Sequence, residues 1–171
     1  MKKLLLLTAV AGLFAFSSVN AQTKAPKLSV GAEFAFPMGD YGDLMNFGYG
    51  GSLQYQHPVA ENLVVTGSAG YTRFQSKDIA GMGKITDGAI PVKAGARYYF
   101  GENFFGGAEL GAAFSTETGG KTGFVYSPGI GVDFPVADKA SVELGARYEG
   151  WSVSGGTKSF IGLRAAFNFG L

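Results

Sequence analysis

With 171 residues and only 16% of them charged, the chain is too poor in charge for the water-covered surface of an ordinary soluble domain, where about 25% is usual. A formal charge of +1 offers nothing for binding a polyanion such as nucleic acid. The absence of cysteine excludes disulfides, thiol chemistry and lipid attachment at a lipobox.

The chain opens on Met1-Lys2-Lys3, an apolar run from Leu4 to Phe16, and Val19-Asn20-Ala21. A basic start, a short apolar core and small residues before a cut describe a secretory signal peptide over 1–21, with Gln22 the first mature residue. The run is shorter than the roughly 20 apolar residues of a transmembrane helix. Losing Lys2 and Lys3 turns the formal charge of +1 into −1. Residues 22–171 have the size of one domain. No later segment could cross a membrane as a helix, so a membrane form of this chain must be a closed barrel, which leaves no unpaired strand edge in lipid.

Eight stretches then alternate with the period of a strand. They are Leu28 to Phe36, Phe47 to His57, Asn62 to Phe74, Ala89 to Phe100, Phe104 to Ser115, Gly123 to Phe134, Ala140 to Trp151 and Ser159 to Leu171. Along the fourth, Ile90, Val92, Ala94, Ala96, Tyr98 and Phe100 fall on one face, with Lys93, Gly95, Arg97 and Tyr99 on the other. Along the last, Ile161, Leu163, Ala165, Phe167, Phe169 and Leu171 oppose Phe160, Gly162, Arg164, Ala166, Asn168 and Gly170. Pro128 has no donor for a ladder, and a bulge or break is expected there. Pro37 to Asn46, Gln75 to Gly88, Thr116 to Thr122 and Ser152 to Lys158 read as the longer connections. Pro58 to Glu61, Gly101 to Asn103 and Pro135 to Lys139 read as short turns. An even strand number with short and long connections in alternation predicts an antiparallel up-and-down barrel with its short turns in the periplasm.

On that ordering the apolar face sorts its aromatics to two levels. Tyr55, Tyr98, Phe100, Phe104, Phe134, Phe167 and Phe169 fall near the periplasmic ends. Phe34, Phe36, Phe47, Tyr49, Tyr71, Phe114, Phe124, Tyr126 and Tyr148 fall near the outer ends. Two aromatic girdles around an aliphatic band are the pattern of a lipid-facing wall. A soluble carrier barrel would turn this face inward and show glycine and a handful of charges to water.

The opposite face then lines the interior. It carries Glu33, Glu109, Asp133, Glu143 and Glu149 against Lys93, Arg97, Arg147 and Arg164. Eight strands leave an interior just wide enough for side chains to fill, and charges there need partners or water. The set reads as a plug of mutual ion pairs, with Glu109 a candidate partner for Arg97, and Glu143 and Glu149 for Arg147. A path for protons or small ions is the alternative. His57, the only histidine, stands beside Pro58 at a turn with no nucleophile and acid placed around it, so a hydrolytic triad is not indicated. Gly120-Lys121-Thr122 lacks the earlier glycine of a phosphate loop, because Ser115 stands there. Asp40, Asp43 and Asn46 do not have the spacing of a calcium loop. No cofactor or metal is called for.

The final aromatic strand resembles the C-terminal insertion signal of bacterial outer-membrane barrels, although that signal usually ends in Phe and this chain ends in Leu171. With the leader, the strand pattern and the turn placement, residues 22–171 resemble small outer-membrane β-barrels of the OmpX kind, the membrane domain of OmpA, and the outer membrane protein beta-barrel domain family common in Bacteroidota. The resemblance implies a monomeric, non-enzymatic protein of the Gram-negative outer membrane. Its partners would be outer-membrane lipid, with the barrel-assembly machinery and periplasmic chaperones during insertion, and no nucleic acid. Two roles follow from it: presentation of short surface loops, for envelope structure, adhesion or defence, and a narrow channel or carrier for small solutes.

Overall fold

In a computed structural model, residues 25–76, 86–117 and 119–171 are described. The expected signal peptide lies outside them, as does most of the connection after the third strand. The described residues form eight strands: β1 (Lys27–Met38), β2 (Met45–Pro58), β3 (Leu63–Ser76), β4 (Thr86–Tyr99), β5 (Phe104–Ser115), β6 (Gly123–Ala137), β7 (Ala140–Val153) and β8 (Gly156–Gly170). Each pairs antiparallel with its sequence neighbours, and β1 closes on β8 from Lys27↔Gly170 to Met38↔Ser159. Closure leaves no free edge, so every strand finds its backbone partners inside the wall.

The faces follow the alternation. Leu110, Ile130 and Leu144 project outward and are 55%, 66% and 51% exposed, while Glu33, Arg97, Glu143, Glu149 and Arg164 project inward and are buried. A one-residue slip in any strand would exchange these two sets. The outer wall is apolar around its waist and aromatic toward both ends. At the outer end Phe47 stacks at 6.2 Å from Phe34 and 5.5 Å from Phe36, and Tyr126 lies 6.1 Å from Tyr148. At the other end Phe167 and Phe169 meet at 4.8 Å.

Four local features depart from the sequence reading. The first connection is not wholly a loop: β1 runs on through Pro37 to Met38, and a short helix, α1 (Gly39–Leu44), follows at once. Strands β7 and β8 also extend beyond the expected limits and leave only Ser154 and Gly155 between them, so this outer connection is as tight as the periplasmic ones. Pro128 neither bulges nor breaks β6. It pairs with Ala108 on one side, and on the β7 side the register resumes unshifted from Tyr126↔Gly150 to Gly129↔Arg147. The proline ring points outward, where a missing donor costs one ladder bond and no side-chain packing. The register irregularities lie elsewhere, at Met45/Phe47 and Pro135/Ala137.

Candidate functional site

Among the described residues, most of the paired charged side chains converge in the barrel interior, to which β1 to β8 all contribute. Glu149 is fully buried and receives four donors: Lys93 Nζ at 2.8 Å, Arg147 Nε at 2.6 Å and the Ser127 hydroxyl at 3.1 Å on Oε2, and the Trp151 indole at 2.7 Å on Oε1. The other end of Arg147 reaches Glu33 Oε2 at 2.6 Å. Arg164 stands 3.3 Å from Glu33 Oε1 and donates to Glu143 Oε1 at 2.6 Å. Arg97 takes the second oxygen of Glu143, also at 2.6 Å. From Arg97 the chain of contacts passes through an amide. Arg97 Nη2 donates to Gln54 Oε1 at 2.6 Å, and Gln54 Nε2 donates to Glu109 Oε1 at 2.9 Å. Glu109 then lies 3.5 Å from Lys93 Nζ, where the path began.

The result is a closed circuit of alternating sign: Lys93, Glu149, Arg147, Glu33, Arg164, Glu143, Arg97, Gln54, Glu109 and back to Lys93. A ninth charge, Asp133, sits outside it toward the β6–β7 turn, held by Lys27 at 2.7 Å and Asn168 at 3.0 Å. No buried side-chain nitrogen or oxygen among the described residues lacks a partner. Removing ions from water costs several kcal/mol each, and only this degree of mutual satisfaction offsets it. A cavity of about 70 Å³ remains among Glu33, Ser52, Gln54, Ser68, Lys93 and Glu109. Its lining mixes charged groups with apolar ones such as Ala69 and Phe105, and it is large enough for water.

All nine residues expected in the interior charge set therefore stand in the interior. The expected partner of Arg97 is wrong. Glu109 is opposite Gly95, and Arg97 is opposite Gly107, so the two are diagonal neighbours on adjacent strands. Arg97 instead crosses the lumen to β7, and its guanidinium passes 4.4 Å over the Phe105 ring on the way. Arg147 pairs with Glu149, as one of the two alternatives held, and not with Glu143. Its second partner, Glu33, stands on β1, which Arg147 reaches by passing over Gly162 of the intervening β8, and Glu143 stands three strands away from Arg97. Sequence spacing carries no information on such contacts.

Inward aromatics flank the circuit toward both ends. Toward the outer mouth Phe74, Trp151 and Phe160 meet edge to face with centroids 5.3 to 5.8 Å apart. Ala35, Ala89, Ala113 and Val125 complete this layer. Toward the periplasmic end Val64, Tyr99 and Phe105 form a second apolar cluster. The alternation already put Phe74, Trp151 and Phe160 on the charged face, and that was the available signal for the outer layer. His57 contacts only Tyr55, whose hydroxyl is 3.2 Å from Nδ1. Among the described residues no group of three His, Asp or Glu could hold a metal ion.

The architecture has close counterparts among solved structures. Ail, the attachment invasion locus protein of Yersinia pestis, superposes with a TM-score of 0.61 at 19% identity, over 86% of this chain and 100% of that one; that structure holds the heparin analogue sucrose octasulfate. Neisserial surface protein A matches with a TM-score of 0.61 at 16% identity, over 85% of this chain and 97% of that one. The chain has the fold of the small outer-membrane β-barrels. OprG of Pseudomonas aeruginosa, an outer membrane protein, gives 0.55 at 12% identity over 87% of this chain and 97% of that one. No family model and no curated protein matches the sequence. Identities this low carry the fold and no site residue, so the circuit and its aromatic layers are read from this chain alone.

Proposed function

We propose that the protein is a non-enzymatic, monomeric barrel of the outer membrane, sealed along its axis, which presents α1 and the other outer connections at the cell surface. The observation that carries this reading is the inversion of the usual globular pattern. Large apolar side chains cover the outside, and a neutral, mutually paired set of charges fills the inside. An exposed apolar band that encircles a closed barrel fits a bilayer and nothing aqueous. The filled interior favours surface presentation over transport, because aromatic layers stand on both sides of the circuit. The aromatic final strand suits delivery by the barrel-assembly machinery.

Topology gives the test. The chain has no cysteine, so single cysteines can be introduced at Asp43 in α1 and at Asp138 in the β6–β7 turn. In intact cells a membrane-impermeant maleimide should label Asp43→Cys and leave Asp138→Cys unlabelled until the outer membrane is permeabilised. Labelling of both in intact cells, or recovery of the protein in the soluble fraction, would overturn the proposal.

A further inference from the structure

We propose that the outer mouth of the barrel is a binding site for a small phenol, occupied in this structure by the protein's own Tyr41. Tyr41 is the sole buried residue of α1. Its ring meets Phe74 edge to face at 5.2 Å, and below Phe74 lie the rings of Trp151 and Phe160. Its hydroxyl donates to Asp87 Oδ2 at 3.1 Å. Lys158 pairs with the same carboxylate and stands 5.4 Å over the Tyr41 ring. A phenol thus finds an aromatic floor, an acceptor for its hydroxyl and a cation for its face. Burial and the Asp87 carboxylate both push the Tyr41 hydroxyl up from its ordinary range, so the group in this position is a neutral donor.

The helix that delivers Tyr41 is built to come away. It has six residues, two of them glycine, and no side-chain cap on its first turn. It leaves β1 at Gly39, whose φ of +57° suits glycine and few other residues. Its other residues stay partly or fully exposed, so Tyr41 is its anchor, through the ring contact with Phe74, the Lys158 ammonium over the ring and the hydrogen bond to Asp87. Lifting α1 would open the aromatic floor and the Asp87–Lys158 pair to whatever lies above the mouth. In the outer-membrane reading, on which only the side of access rests, that is the cell exterior.

The tryptophan count of one makes Trp151 an unambiguous reporter. The experiment is a titration of the folded full-length protein in micelles with p-cresol, read by Trp151 emission, on wild type, Tyr41→Phe and Tyr41→Ala. If α1 is lifted about 1–10% of the time, the plug raises the apparent Kd of wild type about 10- to 100-fold over that of Tyr41→Ala. Tyr41→Phe, which keeps the ring and loses the latch to Asp87, should fall between them, and Asp87→Asn in the Tyr41→Ala background should weaken binding. No saturable response in Tyr41→Ala that still shows heat-modifiable migration would overturn the proposal. So would a response confined to Tyr41→Ala, because the site would then be a cavity made by the substitution. Should Tyr41→Ala fail to fold, Tyr41→Phe decides: p-cresol binding no tighter than wild type overturns it. The assay needs no bilayer, so its failure is separable from failure of the membrane reading.

Discussion

Glu143 accepts from two guanidiniums, Arg164 on Oε1 at 2.6 Å and Arg97 on Oε2 at 2.6 Å with a longer contact of 3.2 Å to Oε1. Replacing Arg97 with methionine removes half of that arrangement and leaves a buried carboxylate short of a partner. The expected loss is about 3–5 kcal/mol, read by urea unfolding in micelles. A double-mutant cycle should give stronger coupling between Arg97→Met and Glu143→Gln than between Arg97→Met and Glu109→Gln. Equal couplings would mean that the lumen rearranges and the pairing described here is not the one in solution. The inward direction of every one of these charges was legible in the sequence, because it depends only on the parity of each residue along its strand. The partners were not. Arg97 reaches Glu143 three strands away and Arg147 reaches Glu33 over β8, and which groups meet in the lumen depends on barrel radius and strand stagger, which alternation does not encode.

The strands themselves were legible almost to their ends, since a period of two with one apolar face leaves little freedom of register. The short helix α1 was not. Two glycines in six residues have little intrinsic helix propensity, and the turn owes its form to Tyr41 docking into the barrel mouth. The tightness of the wall at single positions was hidden as well. Gly131 and Gly145 pair with each other across β6 and β7, yet they differ sharply. A Cβ at Gly131 would stand 2.3 Å from the Phe105 ring and 2.8 Å from a backbone oxygen, whereas at Gly145 the nearest atom is 3.5 Å away. Gly131→Ala should therefore lose about 1–3 kcal/mol through overpacking, and Gly145→Ala should stay within about 0.5 kcal/mol of wild type. Denaturant midpoints of the two variants check this, and similar losses would refute the assigned packing. On the outer face of β5 and β7, Leu110→Arg and Leu144→Arg should each cost about 2–4 kcal/mol when the barrel is folded into lipid vesicles. Thr122→Arg, in the β5–β6 connection, should cost almost nothing. Equal tolerance at all three would contradict the lipid-facing assignment.

At the scale of the whole molecule, the outer surface and the interior make opposite statements. The wall is apolar where it would meet lipid, and the lumen is filled by a circuit whose charges cancel in pairs between two apolar layers. An eight-stranded barrel has no room for both such a filling and an aqueous pore. A cavity of about 70 Å³ lies among the circuit's side chains and their neighbours Ser52 and Ser68, with room for water. The central claim is that the lumen is shut, and single-channel recording in planar bilayers tests it most directly. The bilayer should remain at baseline conductance after verified insertion of the wild-type protein; a uniform, long-lived conducting level from each inserted barrel would mean that the lumen is open.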